Sequence, residues 1–183
     1  MKFEPIEIKD KKGRTIILRS AEISDVDDLI TYLKVTATET PFLLRDPDEV
    51  NITKEQEESF IKAVMDADKE LMLIATVDGV HVGNCSLMRK SSYKRHSHRC
   101  EVAIALYREF CGLGIGEIML QTVLDVAKQL GCEQAELEVI SDNVGAIALY
   151  KKLGFEKYGC FPDSMKYSDG RYVCADWMMK KLT

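Results

Sequence analysis

Apolar and polar positions follow two periods along the chain, and the switches between them mark the elements. Ile16-Ile17-Leu18-Arg19 is a short apolar, β-branched run that predicts a strand. Ser24 with Asp27 three residues on reads as a capping box, continued as a helix by Leu29, Ile30 and Leu33. Beyond a loop flanked by Pro41 and Pro47, Thr53 and Gln56 repeat the signal. They precede Phe60, Ile61, Val64 and Met65, which share one helical face. Leu71 to Val77 and Val82 to Met88 flank Asp78-Gly79, a dipeptide suited to a type I′ turn, and predict an antiparallel hairpin.

In the second half, Cys100 to Leu106 predicts a strand, and Gly112-Leu113-Gly114-Ile115-Gly116 opens a long helix. Ile118, Met119, Val123, Leu124, Ala127 and Leu130 stand at helical spacing in it, with Gly131 just past its end. Ala135 to Ile140 predicts another strand and Val144 to Leu153 a short helix stopped by Gly154. Phe155 to Tyr158 and Val173 to Met179 predict the last two strands. No internal repeat interrupts this order. The expected class is α/β (α+β), one domain over residues 1–183 with helices packed on a mixed sheet.

Composition narrows the function classes. Hydrophobic residues make up 46% and charged residues 30% of the chain, with no apolar run of the roughly 18 residues that a membrane helix needs. Met1-Lys2-Phe3-Glu4-Pro5 lacks the pattern of a secretory signal, so a cytoplasmic protein without a membrane partner is expected. The six cysteines Cys85, Cys100, Cys111, Cys132, Cys160 and Cys174 form no Cys-x-x-Cys pair, which predicts reduced, mostly buried thiols and no metal site. A net charge of −5 argues against nucleic acid as the main partner. Arg89, Lys90, Lys94, Arg95 and Arg99, with His96 and His98, form a local basic segment that reads either as a solvated loop or as an anion-binding edge.

The glycine-rich turn carries chemistry. Its glycines allow close approach of a ligand, and the free N–H groups of the following helical turn attract phosphate. A dinucleotide fingerprint would need a third glycine where Glu117 stands, and the Gly-Lys followed by Ser or Thr of a Walker A loop is absent. About thirty residues later comes SDNVGAIALYKKLGF, positions 141–155. The ordered pair, Gly114-Ile115-Gly116 and then Asn143, Ala146, Tyr150, Gly154 and Phe155, resembles the GNAT superfamily of N-acetyltransferases. The second motif is most similar to that of the ribosomal-protein alanine N-acetyltransferases. The match runs over about positions 100–160 and departs at Cys111, where the family usually has Gln or Arg.

The resemblance implies a mixed, mostly antiparallel sheet of about seven strands with a splayed parallel pair, flanked by about four helices. It implies acetyl-CoA as cosubstrate, with no metal, and an amine acceptor. The main chain of Ile104, Ala105 and Leu106 is expected to pair with the pantetheine arm as an added strand does. The amides of Gly112, Leu113, Gly114, Ile115, Gly116 and Glu117 are expected on the pyrophosphate, and Asn143 on the arm or as a helix cap.

Acetyl transfer to an amine needs a base for the amine and an acid for the leaving thiolate. Tyr150 is the acid candidate, since a phenol stays protonated at neutral pH and the family uses the matching tyrosine so. Its alternative is core packing. For the base, the resemblance points to Glu138. Glu136 on the same strand face, Glu101 on the neighbouring strand and a water relay remain open. A thiol at Cys111, just before a helix N-terminus, is expected to have a lowered pKa or simply to pack. Rival readings are a non-catalytic acyl-CoA-binding regulator and an O- or longer-chain acyltransferase. The acceptor and a homodimer stay open, because loops such as Thr40 to Asn51 and Cys160 to Tyr172 set the former.

Overall fold

Residues 1–183 are described in a computed structural model. The elements run β1 (Ile6–Lys9), β2 (Thr15–Ser20), α1 (Val26–Glu39), α2 (Lys54–Asp66), β3 (Leu71–Val77), β4 (Val80–Arg89) and β5 (Arg99–Leu106). Then come α3 (Ile115–Gln129), β6 (Gln134–Ile140), α4 (Val144–Lys152), β7 (Glu156–Lys166) and β8 (Tyr172–Lys181). One eight-stranded sheet has the order β1-β2-β3-β4-β5-β6-β8-β7. All neighbours are antiparallel except β5 and β6, whose parallel pairing follows from the crossover through α3.

Why the sheet opens in the middle is visible in its register. β5 and β6 pair only at Arg99–Gln134, Cys100–Ala135 and Glu101–Glu136. Beyond that point β5 stays with β4 as far as Leu106–Gly83, and β6 stays with β8 as far as Ile140–Ala175, so the two halves diverge. The expected splayed pair is therefore present.

Both faces of the sheet are covered, unequally. Leu71, Leu73 and Ala75 of β3, Cys85 and Leu87 of β4 and Ala135, Leu137 and Val139 of β6 join Ile115, Met119, Leu120 and Val123 of α3 in the main core. At 25 cal/mol per Å², each fully buried Leu, Ile, Val or Met side chain among them contributes about 1.5–3 kcal/mol. On the opposite face Val26 and Leu29 of α1 and Ile61 of α2 close over Ile74. A third cluster, Ile140, Val173 and Ala175 with Phe42, Met165 and Tyr167, ties the α1–α2 loop to the β7–β8 hairpin.

Local chemistry explains most boundaries. At the start of α2, the Thr53 hydroxyl accepts from Gln56 N–H (3.3 Å) and the Gln56 side-chain Oε1 accepts from Thr53 N–H (2.9 Å), as the sequence predicts. α3 ends with Cys132 N–H on Ala127 C=O and Gly131 N–H on Lys128 C=O, the paired bonds of a Schellman motif. In the β3–β4 turn Asp78 and Gly79 have φ of 51° and 79°, which matches type I′.

Four expectations are corrected. The sheet has eight strands, because Ile6–Lys9, whose alternation of apolar and polar residues is only four residues long, pairs with β2 at the edge. The first capping box is Glu22 with Asp25 rather than Ser24 with Asp27, since Asp25 accepts from Glu22 N–H at 2.7 Å and binds the Arg19 guanidinium. On α2 only Ile61 and Val64 are buried; Phe60 and Met65 are 41% and 43% exposed, and Glu57 lies inside instead. Of the six cysteines, Cys85, Cys100 and Cys132 are buried, while Cys111 and Cys160 are exposed and Cys174 half-buried.

Candidate active site

The end of β5, the turn into α3 and helix α4 meet at the opening, where a Cβ on Gly116 would stand 3.7 Å from Leu149 Cδ2. Gly112 and Gly114 have φ of 74° and 87°, a region other residues enter only with strain, and their reversal brings the chain from β5 into α3. A Cβ on Gly116 would stand 3.0 Å from Leu106 Cδ1 and 3.5 Å from Ile104 Cδ1, so the first turn of α3 lies directly on the end of β5. Its free amides face out with the positive end of the helix dipole.

Alternation along β5 decides which main-chain groups are open. Tyr107 N–H donates to Val82 C=O (3.0 Å), and His98 C=O accepts from Glu133 and Gln134 on the other side. Odd-numbered residues thus bond across to β4, and the main chains of Ile104 and Leu106 face the opening. Ala105 faces β4, and its carbonyl also accepts the Tyr32 hydroxyl at 3.0 Å. Asn143 caps α4: its Oδ1 accepts from Ala146 N–H at 3.2 Å, which leaves its amide N–H groups without a protein partner.

Tyr150 on α4 is 6% exposed and packs at 5.9 Å from the Phe155 ring. Its hydroxyl is in none of the protein's hydrogen bonds. Burial, with a smaller effect of Cys85, pushes its pKa up to about 12, so it is a phenol at any ordinary pH.

Three carboxylates line the other face of β5 and β6, and their surroundings separate them. Glu136 is 2% exposed and held by the Arg99 guanidinium, with Gln134 and Lys90 adding contacts. Burial opposes its ionisation, but the Arg99 pairing outweighs that and holds it below the usual carboxylate range. Glu101 is paired with Lys90 at 3.3 Å. Glu138 is exposed and meets no cation: its Oε2 accepts from Trp177 Nε1–H at 2.8 Å and its Oε1 from the Ser164 hydroxyl at 3.5 Å. Trp177 is the cross-strand partner of Glu138 and is stacked between Tyr158 and Phe161, at centroid distances of 6.3 and 6.1 Å.

Two sequence expectations change here. Arg89, Lys90 and Arg99 of the basic segment are matched by Glu70, Glu101 and Glu136, so most of it is an ion-pair network and not an anion edge. Cys111 ends a 3-10 turn, Arg108–Phe110, and α3 begins only at Ile115. Desolvation and the Glu39 carboxylate raise its thiol pKa, the reverse of the helix-dipole expectation. Sequence reasoning missed Trp177, whose pairing with Glu138 depends on the β6–β8 register. It also missed the β1–β2 turn, where Lys11 N–H donates to Leu113 C=O at 3.1 Å.

Such a glycine turn beside a splayed strand pair makes an open cleft with free helix-terminal amides at its mouth, suited to an anionic ligand. Residues 36–155 match the sequence model of the Acetyltransferase (GNAT) family. An N-alpha-acetyltransferase of Sulfurisphaera tokodaii is 30% identical over 149 residues, 80% of this chain and 84% of the relative. The fold superposes on a GNAT acetyltransferase of Streptococcus pneumoniae with a TM-score of 0.86 at 25% identity, covering 91% of this chain and 99% of that one. An acetyltransferase of Salmonella typhimurium, solved with its cofactor acetyl-CoA, gives 0.81 at 19% identity over 92% and 94% of the two chains. The chain belongs to the GNAT acetyltransferase family and is an acyltransferase. No helix is long and apolar enough to cross a membrane.

Proposed function

We propose that residues 1–183 form one N-acetyltransferase domain that moves the acetyl group of acetyl-CoA to a primary amine by direct attack in a ternary complex. The observation that carries this reading is the opening that begins where β5–β6 pairing stops, at Glu101–Glu136, with the glycine turn at its mouth. The residues present fit the cosubstrate. Ile104 and Leu106 offer main-chain groups for the pantetheine arm, the amides from Gly112 to Glu117 an anion site, and Asn143 spare donors. A side chain at Gly116 would press on Leu106 in this space.

Acetyl-CoA supplies an acyl group on a good leaving thiolate. The ammonium first gives up a proton; the neutral nitrogen then attacks the thioester carbonyl carbon and loses a second proton as the C–S bond breaks, and the departing thiolate sulfur takes up a proton. Tyr150 serves as the donor to sulfur, because burial keeps it protonated and its hydroxyl has no competing protein partner. Glu138 serves as the base, directly or through a water. Of the three carboxylates it is the one with no cation to neutralise, and it is open to the acceptor side. Glu101 is the second choice, since Lys90 already occupies it.

The test is purified protein with acetyl-CoA and pools of amines, alcohols and peptide N-termini, read by free-thiol release and product mass. Acetylated amine supports the proposal. Thermal stabilisation by CoA without thiol release from any pool would identify a non-catalytic acyl-CoA binder, and acetylation of alcohols alone an O-acyltransferase.

A further inference from the structure

We infer that Lys11 is a phosphate-binding residue, delivering its ammonium from the β1–β2 turn to the phosphates of a CoA-type ligand; this rests on the acetyl-CoA reading of the glycine turn. The turn that carries it is fixed by Asp10, a residue 6% exposed. One Asp10 oxygen accepts from the N–H groups of Lys12 and Arg14, both at 2.9 Å, and the other from Arg14 Nε at 2.8 Å. Arg14 in turn lies over the Phe110 ring, 5.0 Å from its centroid, which docks the hairpin beside the β5–α3 connection.

Lys11 then touches the glycine turn at three points. Its N–H donates to Leu113 C=O at 3.1 Å. Its Nζ lies 3.5 Å from Gly112 C=O. Its methylene stem passes 3.6 and 3.7 Å from the position a Gly114 Cβ would take. The ammonium therefore sits at the anion site with a single long carbonyl contact and no carboxylate partner.

Charge bookkeeping around the turn leaves a place for it. Glu117, in the first turn of α3, is offset by Lys152 at 2.6 Å, so that lysine is already engaged. Cys111 brings no positive charge, and its thiol is held neutral by its raised pKa. Amide dipoles alone would face a multiply charged diphosphate, and a lysine that can reorient by a few ångströms supplies a cation against the turn itself, beside Arg108 on the preceding 3-10 turn. The edge strand β1, which looks dispensable as a piece of sheet, exists in this view partly to aim that turn.

The test is calorimetric binding of CoA to the full chain and to Lys11→Met, Lys11→Arg and Lys11→Glu. Methionine keeps the apolar stem over Gly114 and removes the charge. Expected are a Kd about tenfold weaker for Lys11→Met, a larger loss for Lys11→Glu and a value within about threefold of the original for Lys11→Arg. The Lys11→Met deficit should shrink as salt rises, with the apoprotein melting temperature unchanged. Repeating the series with dephospho-CoA reads which phosphate is held: a deficit that persists assigns the diphosphate, and one that disappears assigns the 3′-phosphate. Unchanged CoA affinity in Lys11→Met overturns the inference. So does Lys11→Arg as weak as Lys11→Met, which would make the side chain a packing element. Failure of the unaltered chain to bind CoA would instead overturn the acetyl-CoA reading, so the two failures are distinguishable.

Discussion

On the β5–α3 side of the opening the groups proposed to meet the ligand are mostly main chain: Ile104 and Leu106 on a strand edge, then amides shaped by Gly112 and Gly114. On the β6–β8–β7 side they are side chains, Glu138 with Trp177, Tyr158 and Phe161. Backbone groups can hold any cosubstrate of the right shape, and they demand only that the chain follow its path. Side chains distinguish one acceptor from another, and each is tuned by what it touches. The contrast predicts that damage to the first side abolishes binding, while damage to the second changes rate and selectivity.

The largest expected effect comes from the turn itself. Gly114→Asp puts a Cβ and a negative charge at φ 87° beside the anion site. The thermal stabilisation given by acetyl-CoA, which follows RT ln(1 + [L]/Kd), should vanish. Differential scanning fluorimetry checks this against circular dichroism of the variant; a folded Gly114→Asp protein that keeps the full shift would remove the cradle from this side.

Next in size is Tyr150→Phe. Loss of the hydroxyl should lower kcat by about 100-fold while CoA affinity stays within about twofold, since general acid catalysis is worth 10²–10⁴. Because the phenol is pushed up to about 12, its ionisation should bring no fall in wild-type kcat below pH 10. Equal losses in kcat and in CoA affinity would return Tyr150 to a packing role.

This ordering also explains what could be read from the sequence. The candidates Gly112, Gly114, Asn143 and Tyr150 come from short motifs with particular residues at fixed spacing, and the Asp78-Gly79 turn and the Thr53 cap are equally local. Trp177 was not legible, because its meeting with Glu138 depends on how β8 registers on β6, nearly forty positions apart in the chain (Glu138 to Trp177, 39). Glu136 and Glu138 look alike in the string LEVISDN. Only the fold hands Arg99 to one and leaves the other open. β1 escaped notice for a different reason: its alternation Ile6-Glu7-Ile8-Lys9 runs for only four residues, too short to stand out before its pairing with β2 is seen.

The two glutamates give the third test. Glu138→Gln should lower kcat/KM about tenfold, most severely at low pH where free amine is scarce, and leave the melting temperature nearly unchanged. Glu136→Gln should do the opposite and cost about 2 kcal/mol of stability by leaving Arg99 without its carboxylate. Since Glu136 is held below the usual carboxylate range, its contribution is complete above that range and is lost as pH falls through the depressed value. Acid melting curves of wild type and Glu136→Gln should therefore converge at low pH. Activity loss in Glu136→Gln matching that in Glu138→Gln would dissolve the distinction between the two.

The smallest effect should come from Trp177→Phe, and it probes whether the acceptor side is tuned by neighbours as the comparison requires. Phenylalanine keeps a ring between Tyr158 and Phe161 but removes the Nε1–H that holds Glu138 at 2.8 Å. One hydrogen bond to a charged group that remains partly in water is worth about 1 kcal/mol, so kcat/KM should fall about threefold to fivefold, with CoA affinity unchanged. Trp177→Phe combined with Glu138→Gln makes the cause readable. If the indole acts by orienting the carboxylate, the double variant should be no slower than Glu138→Gln alone, because there is no longer a base to orient. Additive losses would mean that the indole touches the acceptor by itself, and Trp177 would then belong with Tyr158 and Phe161 as a contact surface and not as a support for Glu138.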